Sequence, residues 1–137
     1  MKLDHVVEVL LESLKDDQYI EAIFLRGSMA RNEHDEFSDI DIYCVVNEEN
    51  VEAFLPNRNL HIEAYMKTLF VDDIYIIAPQ LLVVYEDLIH IDLFTVTPSE
   101  ISNKDTNQLC LGIIASGICF VLAQSTPFRF RDIRRRL

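Results

Sequence analysis

Glycine, proline and cysteine are all scarce in this 137-residue chain, which contains three glycines, four prolines and three cysteines. So few breaking residues argue against disorder, collagen-like repeats and low-complexity linkers. The cysteines are odd in number and show no CxxC spacing, so we expect buried thiols instead of disulfides or a zinc site. Half of the residues are hydrophobic, as in an ordinary globular domain.

Positively charged residues are also scarce. The chain contains 12 Lys and Arg residues against 23 Asp and Glu residues, which gives a net charge of -11. This acidic surplus disfavours long nucleic acid and anionic lipid as partners. Residues 128–137 nevertheless contain five Arg and one Asp, a net of +4, which leaves -15 on residues 1–127. We therefore expect one acidic domain over residues 1–127 and a short basic tail over residues 128–137.

Long hydrophobic runs are absent as well. The longest uncharged apolar stretch, residues 109–123, is shorter than the roughly 20 residues that a membrane-spanning helix needs. The N-terminus carries acidic residues within its first turns, which does not suit a signal peptide. We expect a cytoplasmic protein without a membrane span.

Hydrophobic periodicity predicts an α+β fold, with a mixed sheet and helices packed on one face. The pattern begins with a helix over residues 3–16 and a strand over residues 19–25. The further predicted elements are a strand over 38–46, helices over 48–55 and 57–70 separated by Pro56, strands over 74–77, 81–85 and 89–96, a helix over 105–115 and a weak strand over 118–122. The strands over 81–85 and 89–96 are expected to form a hairpin, with Glu86 and Asp87 in its turn.

A Gly-Ser turn follows the first predicted strand. Gly27 gives the backbone room to turn and lets a phosphate come close, while Ser28 contributes a hydroxyl and opens a segment with unpaired N–H groups. These features predict a cradle for a triphosphate. Arg31 has two open interpretations, because it can neutralise phosphate charge or lie exposed on the next turn.

Three acidic residues form the second candidate cluster. Asp39 and Asp41 stand at positions i and i+2 of a predicted strand, so they project from one face about 7 Å apart along the chain. Asp92 interrupts an apolar strand, where an ionised acid is costly unless it is paired or bound to metal. If the two strands are neighbours, the three carboxylates can bind divalent cations for phosphoryl transfer, with Asp92 as a metal ligand or as the general base.

The spacing of Gly27-Ser28, ten residues, Asp39-Ile40-Asp41-Ile42 and a later Asp92 resembles the nucleotidyltransferase superfamily typified by DNA polymerase β. The string GSMARNEHDEFSDIDIYCVV is similar to small bacterial nucleotidyltransferase domains, including those of aminoglycoside adenylyltransferases and of antitoxins paired with HEPN proteins. The resemblance implies a polymerase β-like fold in which Gly27 and Ser28 hold the nucleotide triphosphate. It also implies that Asp39 and Asp41 bind magnesium, and that Asp92 completes the metal site or activates the acceptor.

Two features depart from the family pattern. Asn32 stands where many relatives have glycine, and the sequence stops at Leu137 without the helical domain that supplies the acceptor pocket in drug-modifying members. We expect magnesium-dependent transfer of a nucleoside monophosphate, with AMP as the first choice, from an NTP to a hydroxyl of an aminoglycoside-like molecule or a protein. The alternative is an antitoxin-like or regulatory domain that binds a partner and is inert alone. A homodimer and a helical partner protein both stay open.

Overall fold

The computed structural model describes residues 2–26, 39–76, 78–102 and 119–123. These ranges contain a six-stranded mixed sheet in the order β3-β4-β5-β2-β1-β6. The strands are β1 (Ile20–Arg26), β2 (Ile40–Val46), β3 (Thr68–Tyr75), β4 (Pro79–Tyr85), β5 (His90–Val96) and β6 (Cys119–Ala123). The helices are α1 (Lys2–Lys15), α2 (Val51–Phe54), α3 (Arg58–Glu63) and α4 (Pro98–Ser102). The α+β prediction is confirmed.

The helix α1 covers the centre of one sheet face. Leu3, Val6, Leu10 and Leu14 lie at helical spacing and are each at most 1% exposed, so they form the stripe that packs on the sheet. Asp4 in the first turn and Lys15 in the last turn suit the helix dipole. The predicted helix over residues 3–16 is confirmed, with its limits shifted by one residue.

The sheet contributes the alternate residues of its strands to the same core. Ile40, Ile42 and Cys44 of β2 are fully buried in it, together with Phe54 from α2 and Ile62 from α3. Helices therefore pack on one face, as the sequence predicts. Burial raises the pKa of the Cys44 thiol, which keeps it protonated and unreactive, as expected of a buried thiol.

The predicted helix over residues 57–70 is confirmed only in its first part. The helix α3 ends at Glu63, and Thr68 begins β3, which pairs antiparallel with β4 up to Tyr75. Sheet pairing prevails here because the segment Thr68–Val71 contains β-branched and aromatic residues that suit a strand. The separation of two helices at Pro56 is confirmed, since α2 ends at Phe54 and Pro56 lies in a 3-10 turn (Leu55–Asn57) that leads to α3.

The hairpin between β4 and β5 is confirmed. In its turn the Asp87 carboxylate accepts a hydrogen bond from the Ile89 N–H at 3.1 Å and another from the Tyr65 hydroxyl. Leu88 adopts a positive φ of 70°, which the tight turn requires. Burial, with help from the Asp87 carboxylate, raises the pKa of Tyr65 to about 12, so this phenol stays a donor at neutral pH.

Several predicted features lie outside the described residues, namely the Gly-Ser turn, the helix over 105–115 and the basic tail over 128–137. The predicted strand over residues 118–122 is confirmed as β6, which pairs antiparallel with β1. The end of the longest apolar stretch is thus a strand. Across the described ranges, the helices are too short or too polar to cross a membrane.

A buried carboxylate ties the end of α1 to the helical segment that follows β2. Asp17 accepts hydrogen bonds from the Tyr19 N–H at 2.9 Å, the Asn57 side-chain amide at 3.1 Å and His61 Nε2 at 2.7 Å. On its other side, His61 Nδ1 lies 2.8 Å from the Ser13 hydroxyl. In the neutral imidazole with its proton on Nε2, the serine donates to Nδ1. This network fixes α1, β1 and α3 relative to one another.

We expect Asp17→Ala to lower the free energy of unfolding by about 2–4 kcal/mol, because it leaves three donors around a buried position without their acceptor. Urea unfolding followed by circular dichroism measures the change. The neighbouring exposed acid provides a matched control, since Asp16→Ala should shift the stability by less than about 0.5 kcal/mol. Equal effects of both substitutions would show that the network does not hold these elements together.

Candidate active site

The candidate site lies on the sheet face opposite α1, where β2 and β5 run side by side. These two strands are parallel, and Asp41 is the register partner of Asp92. Partner residues on adjacent strands are about 4.8 Å apart and project from the same face. The sequence analysis expects the acids to meet if the strand with Asp92 lies beside the strand with Asp41. The structure places the two strands in this way.

The three acids differ in exposure. Asp39 directly precedes β2 and is exposed, whereas Asp41 and Asp92 are half-buried. The residues between and beside them, Ile40 and Ile91, are at most 1% exposed and point into the core on the other face. Period-two alternation thus separates the acids from the apolar residues of the same strands, as the sequence predicts.

A glutamine on the next strand contacts the third acid. Gln80 of β4 donates a hydrogen bond from Nε2 to Oδ1 of Asp92 at 3.1 Å. This bond engages one carboxylate oxygen and orients the other. Sequence reasoning missed Gln80, although its alternation with the buried Leu81 already indicates that it lies on the site face.

Next to the acids, two aromatic side chains occupy the following positions on the same face of the sheet. Tyr43 and Phe94, each two residues after its aspartate, stack with ring centroids 4.5 Å apart and planes 10° from parallel. Tyr43 is only 1% exposed, so it packs within the sheet and does not line an open pocket. The stacked rings hold the two strands together directly behind the acids.

The register of β2 and β5 brings two acidic side chains, Asp41 and Asp92, next to each other. Like charges directly opposite each other on neighbouring strands are destabilising, and the whole chain has a net charge of -11. Carboxylate oxygens are the ligands that Mg²⁺ prefers, and Mg²⁺ is often bound by one or two carboxylates while water and substrate phosphates supply the rest. The two aspartates fit this role by charge and position.

The acids do not form a complete cage in this conformation. Across the described residues, no three His, Cys, Asp or Glu side chains converge tightly enough to hold a metal ion. The arrangement is thus a pair of neighbouring carboxylates, with Asp39 at the adjacent strand end. Such a pair suits a cation that arrives with a phosphate ligand.

The other predicted site residues, Gly27, Ser28 and Arg31, lie outside the described residues. The end of β1 shows where the chain enters this turn, because Arg26 is the register partner of Asp41. Gly27 therefore follows a residue that lies directly beside the acidic pair in the sheet.

Comparisons with known proteins identify a family and a similar fold. A family model described as "Nucleotidyltransferase domain" matches residues 7–108, a range that includes all three acids. The fold is similar to that of an aminoglycoside 6-adenyltransferase from Bacillus subtilis, with a TM-score of 0.57 and 16% identity. The match covers 91% of this chain but only 42% of the adenyltransferase, and at this identity it shows the fold alone.

A candidate nucleotidyltransferase from Sulfolobus solfataricus is also similar, with a TM-score of 0.43 and 14% identity, covering 93% of this chain and 92% of that one. A comparison with curated protein sequences returns no match.

We expect Asp92→Asn to raise the free energy of unfolding by about 0.5 kcal/mol at low salt with a metal chelator present, because it removes the repulsion with Asp41. The new amide keeps the oxygen that accepts from Gln80. Chemical unfolding measures the gain, which added salt should reduce. Asp72→Asn is the control, since its register partner is the apolar Leu82. Loss of more than about 1 kcal/mol on Asp92→Asn would contradict the repulsion.

Proposed function

The chain belongs to the nucleotidyltransferase domain family, and from this premise we propose that it transfers a nucleoside monophosphate from an NTP to an acceptor hydroxyl. The observation that supports the proposal most strongly is the register pair of Asp41 and Asp92 on the side of the sheet away from α1. Two neighbouring acids on that face are costly for the fold and useful for binding a cation–triphosphate complex.

In the proposed reaction the acceptor oxygen attacks the α-phosphorus of the NTP. A new P–O bond forms, the bond between the α-phosphorus and the bridging oxygen breaks, and pyrophosphate leaves. Asp39 and Asp41 would hold magnesium, which when bound neutralises phosphate charge and lowers the pKa of the attacking hydroxyl. Asp92 would complete the metal site or take the acceptor proton through the oxygen that Gln80 leaves available.

The remaining assignments concern the nucleotide. We assign Gly27 and Ser28 to the β- and γ-phosphates and Arg31 to their charge, because the chain enters this turn from the strand end beside Asp41. AMP is the proposed group, since the similar solved structure is named an adenyltransferase. We place the reaction in the cytoplasm.

The acceptor is proposed from the same similarity. The solved relative is named for an aminoglycoside, so a hydroxyl of an aminoglycoside-like molecule is the first candidate. The chain spans 42% of that protein's length. A protein hydroxyl is the second candidate, and the acceptor search should therefore include both.

Calorimetric titration with ATP, GTP, CTP and UTP, each with and without magnesium, tests the nucleotide site without knowledge of the acceptor. We expect magnesium-dependent binding that Asp41→Asn weakens at least about tenfold, because the substitution removes a charged ligand but little packing. Asp16→Asn, an exposed acid at the end of α1, is the matched control and should bind like the wild type.

Two outcomes would contradict the proposal. Full binding by Asp41→Asn would mean that the metal site is assigned to the wrong residues. Absence of binding to any of the four nucleotides in the folded wild-type protein would favour a regulatory, partner-binding domain over an enzyme.

A further inference from the structure

The strand β3 forms one edge of the sheet and is unusually exposed for an apolar strand. Leu69, Phe70 and Tyr75 are 63%, 53% and 71% exposed, and Ile76 directly after the strand is 75% exposed. Soluble proteins usually protect such an edge, because its free backbone groups and apolar side chains can pair with another strand. The edge therefore has the properties of a docking surface for an added strand.

Each face of β3 carries one acid between apolar residues. The register with β4 places Val71, Asp73 and Tyr75 on the helix face, and Phe70, Asp72 and Ile74 on the face of the candidate site. Asp73 already forms an ion pair with the buried Arg58 at 3.0 Å. A docking strand should therefore present positive charge to Asp72, and apolar side chains beside Val71 and Tyr75.

Charge argues against pairing between two copies of β3. Such pairing would bring together the Asp72 and Asp73 of both copies, between chains that each have a net charge of -11. Like charges across a strand pair are destabilising, and acidic residues on edge strands protect against this kind of association. The occupant should be basic.

The chain itself contains a segment with the required pattern. Residues 128–131 read Phe-Arg-Phe-Arg within a tail of net charge +4. In an extended strand this alternation puts both phenylalanines on one face and both arginines on the other. The pattern matches the two faces of the β3 edge, apolar beside Val71 and Tyr75 and positive beside Asp72.

The reach of the chain decides which copy is bound. The strand β6 ends at Ala123 on the opposite edge of the sheet, so a strand added outside β3 lies six strand spacings away, roughly 29 Å. Four residues lie between Ala123 and Phe128, so the five steps from one to the other span at most about 18 Å when fully extended. The tail therefore cannot place Phe128 on the β3 edge of its own chain.

We propose that residues 128–131 of one copy add as a strand to the β3 edge of a second copy. One arginine then lies opposite Asp72, while the two phenylalanines occupy successive positions on the helix face, one beside Asp73 and the other covering Val71 or Tyr75. If both copies exchange their tails, the assembly closes as a two-fold dimer. This inference is independent of the nucleotide site and stands whether or not the chain is an active transferase.

Sedimentation velocity of the full-length protein over a range of concentrations tests this dimer. We expect a reversible dimer that dissociates as salt is raised. Asp72→Arg should weaken it at least about tenfold, and so should the double substitution of Arg129 and Arg131 by Glu, because each places like charges together. Combining Asp72→Arg with the two Glu substitutions should restore the dimer. Asp16→Arg, at an exposed acid after α1 that belongs to neither the β3 edge nor the tail, is the control that should leave it unchanged.

The double Glu variant keeps the test decisive if Asp72→Arg fails to fold, because it leaves the described residues untouched. A wild-type protein that stays monomeric at every concentration would overturn the proposal. So would a dimer that neither charge reversal weakens. A dimer that Asp72→Arg strengthens while the tail substitutions change nothing would instead show direct pairing of two β3 edges.

Discussion

Parallel pairing of β2 with β5 is the constraint on which the candidate site depends. It makes Asp41 and Asp92 direct neighbours although 50 residues separate them in the sequence. A shift of one residue in this register would turn one acid into the core, where an unpaired carboxylate is far more costly. The buried isoleucines beside the acids prevent such a shift, because they must stay on the helix face. The apolar core thereby fixes the geometry of the polar site.

The two faces of the sheet have different roles, one in stability and the other in the candidate site. The helix face provides stability through α1, the helical segment that follows β2 and the buried network of Asp17 and His61. The other face keeps two carboxylates side by side in a chain with a net charge of -11, and like charges in that position repel each other. A cation bound with a triphosphate would relieve that repulsion, so the feature that weakens the free domain would favour its substrate complex.

The sequence predicts this arrangement where local patterns are strong. Period-two alternation correctly predicts that Asp41 lies on the sheet face away from the core, and helical spacing correctly predicts α1. The sequence could not reveal Gln80 as the partner of Asp92, or His61 as the partner of Asp17. Those contacts depend on tertiary pairing between distant segments. The first part of β3, including Leu69 and Phe70, is wrongly predicted as helix for a related reason. Their environment is the edge of a sheet, and only strand pairing defines it.

We propose that Asp41, together with Asp39 and with Asp92 when it completes the metal site, binds a divalent cation that carries the nucleotide. The most direct measurement is anomalous diffraction from crystals grown with Mn²⁺ and a non-hydrolysable NTP analogue. We predict a manganese peak bonded to a carboxylate oxygen of Asp41, to Asp39 or Asp92 beside it, and to the triphosphate. A bound nucleotide whose metal contacts neither Asp41 nor Asp92 would contradict the account.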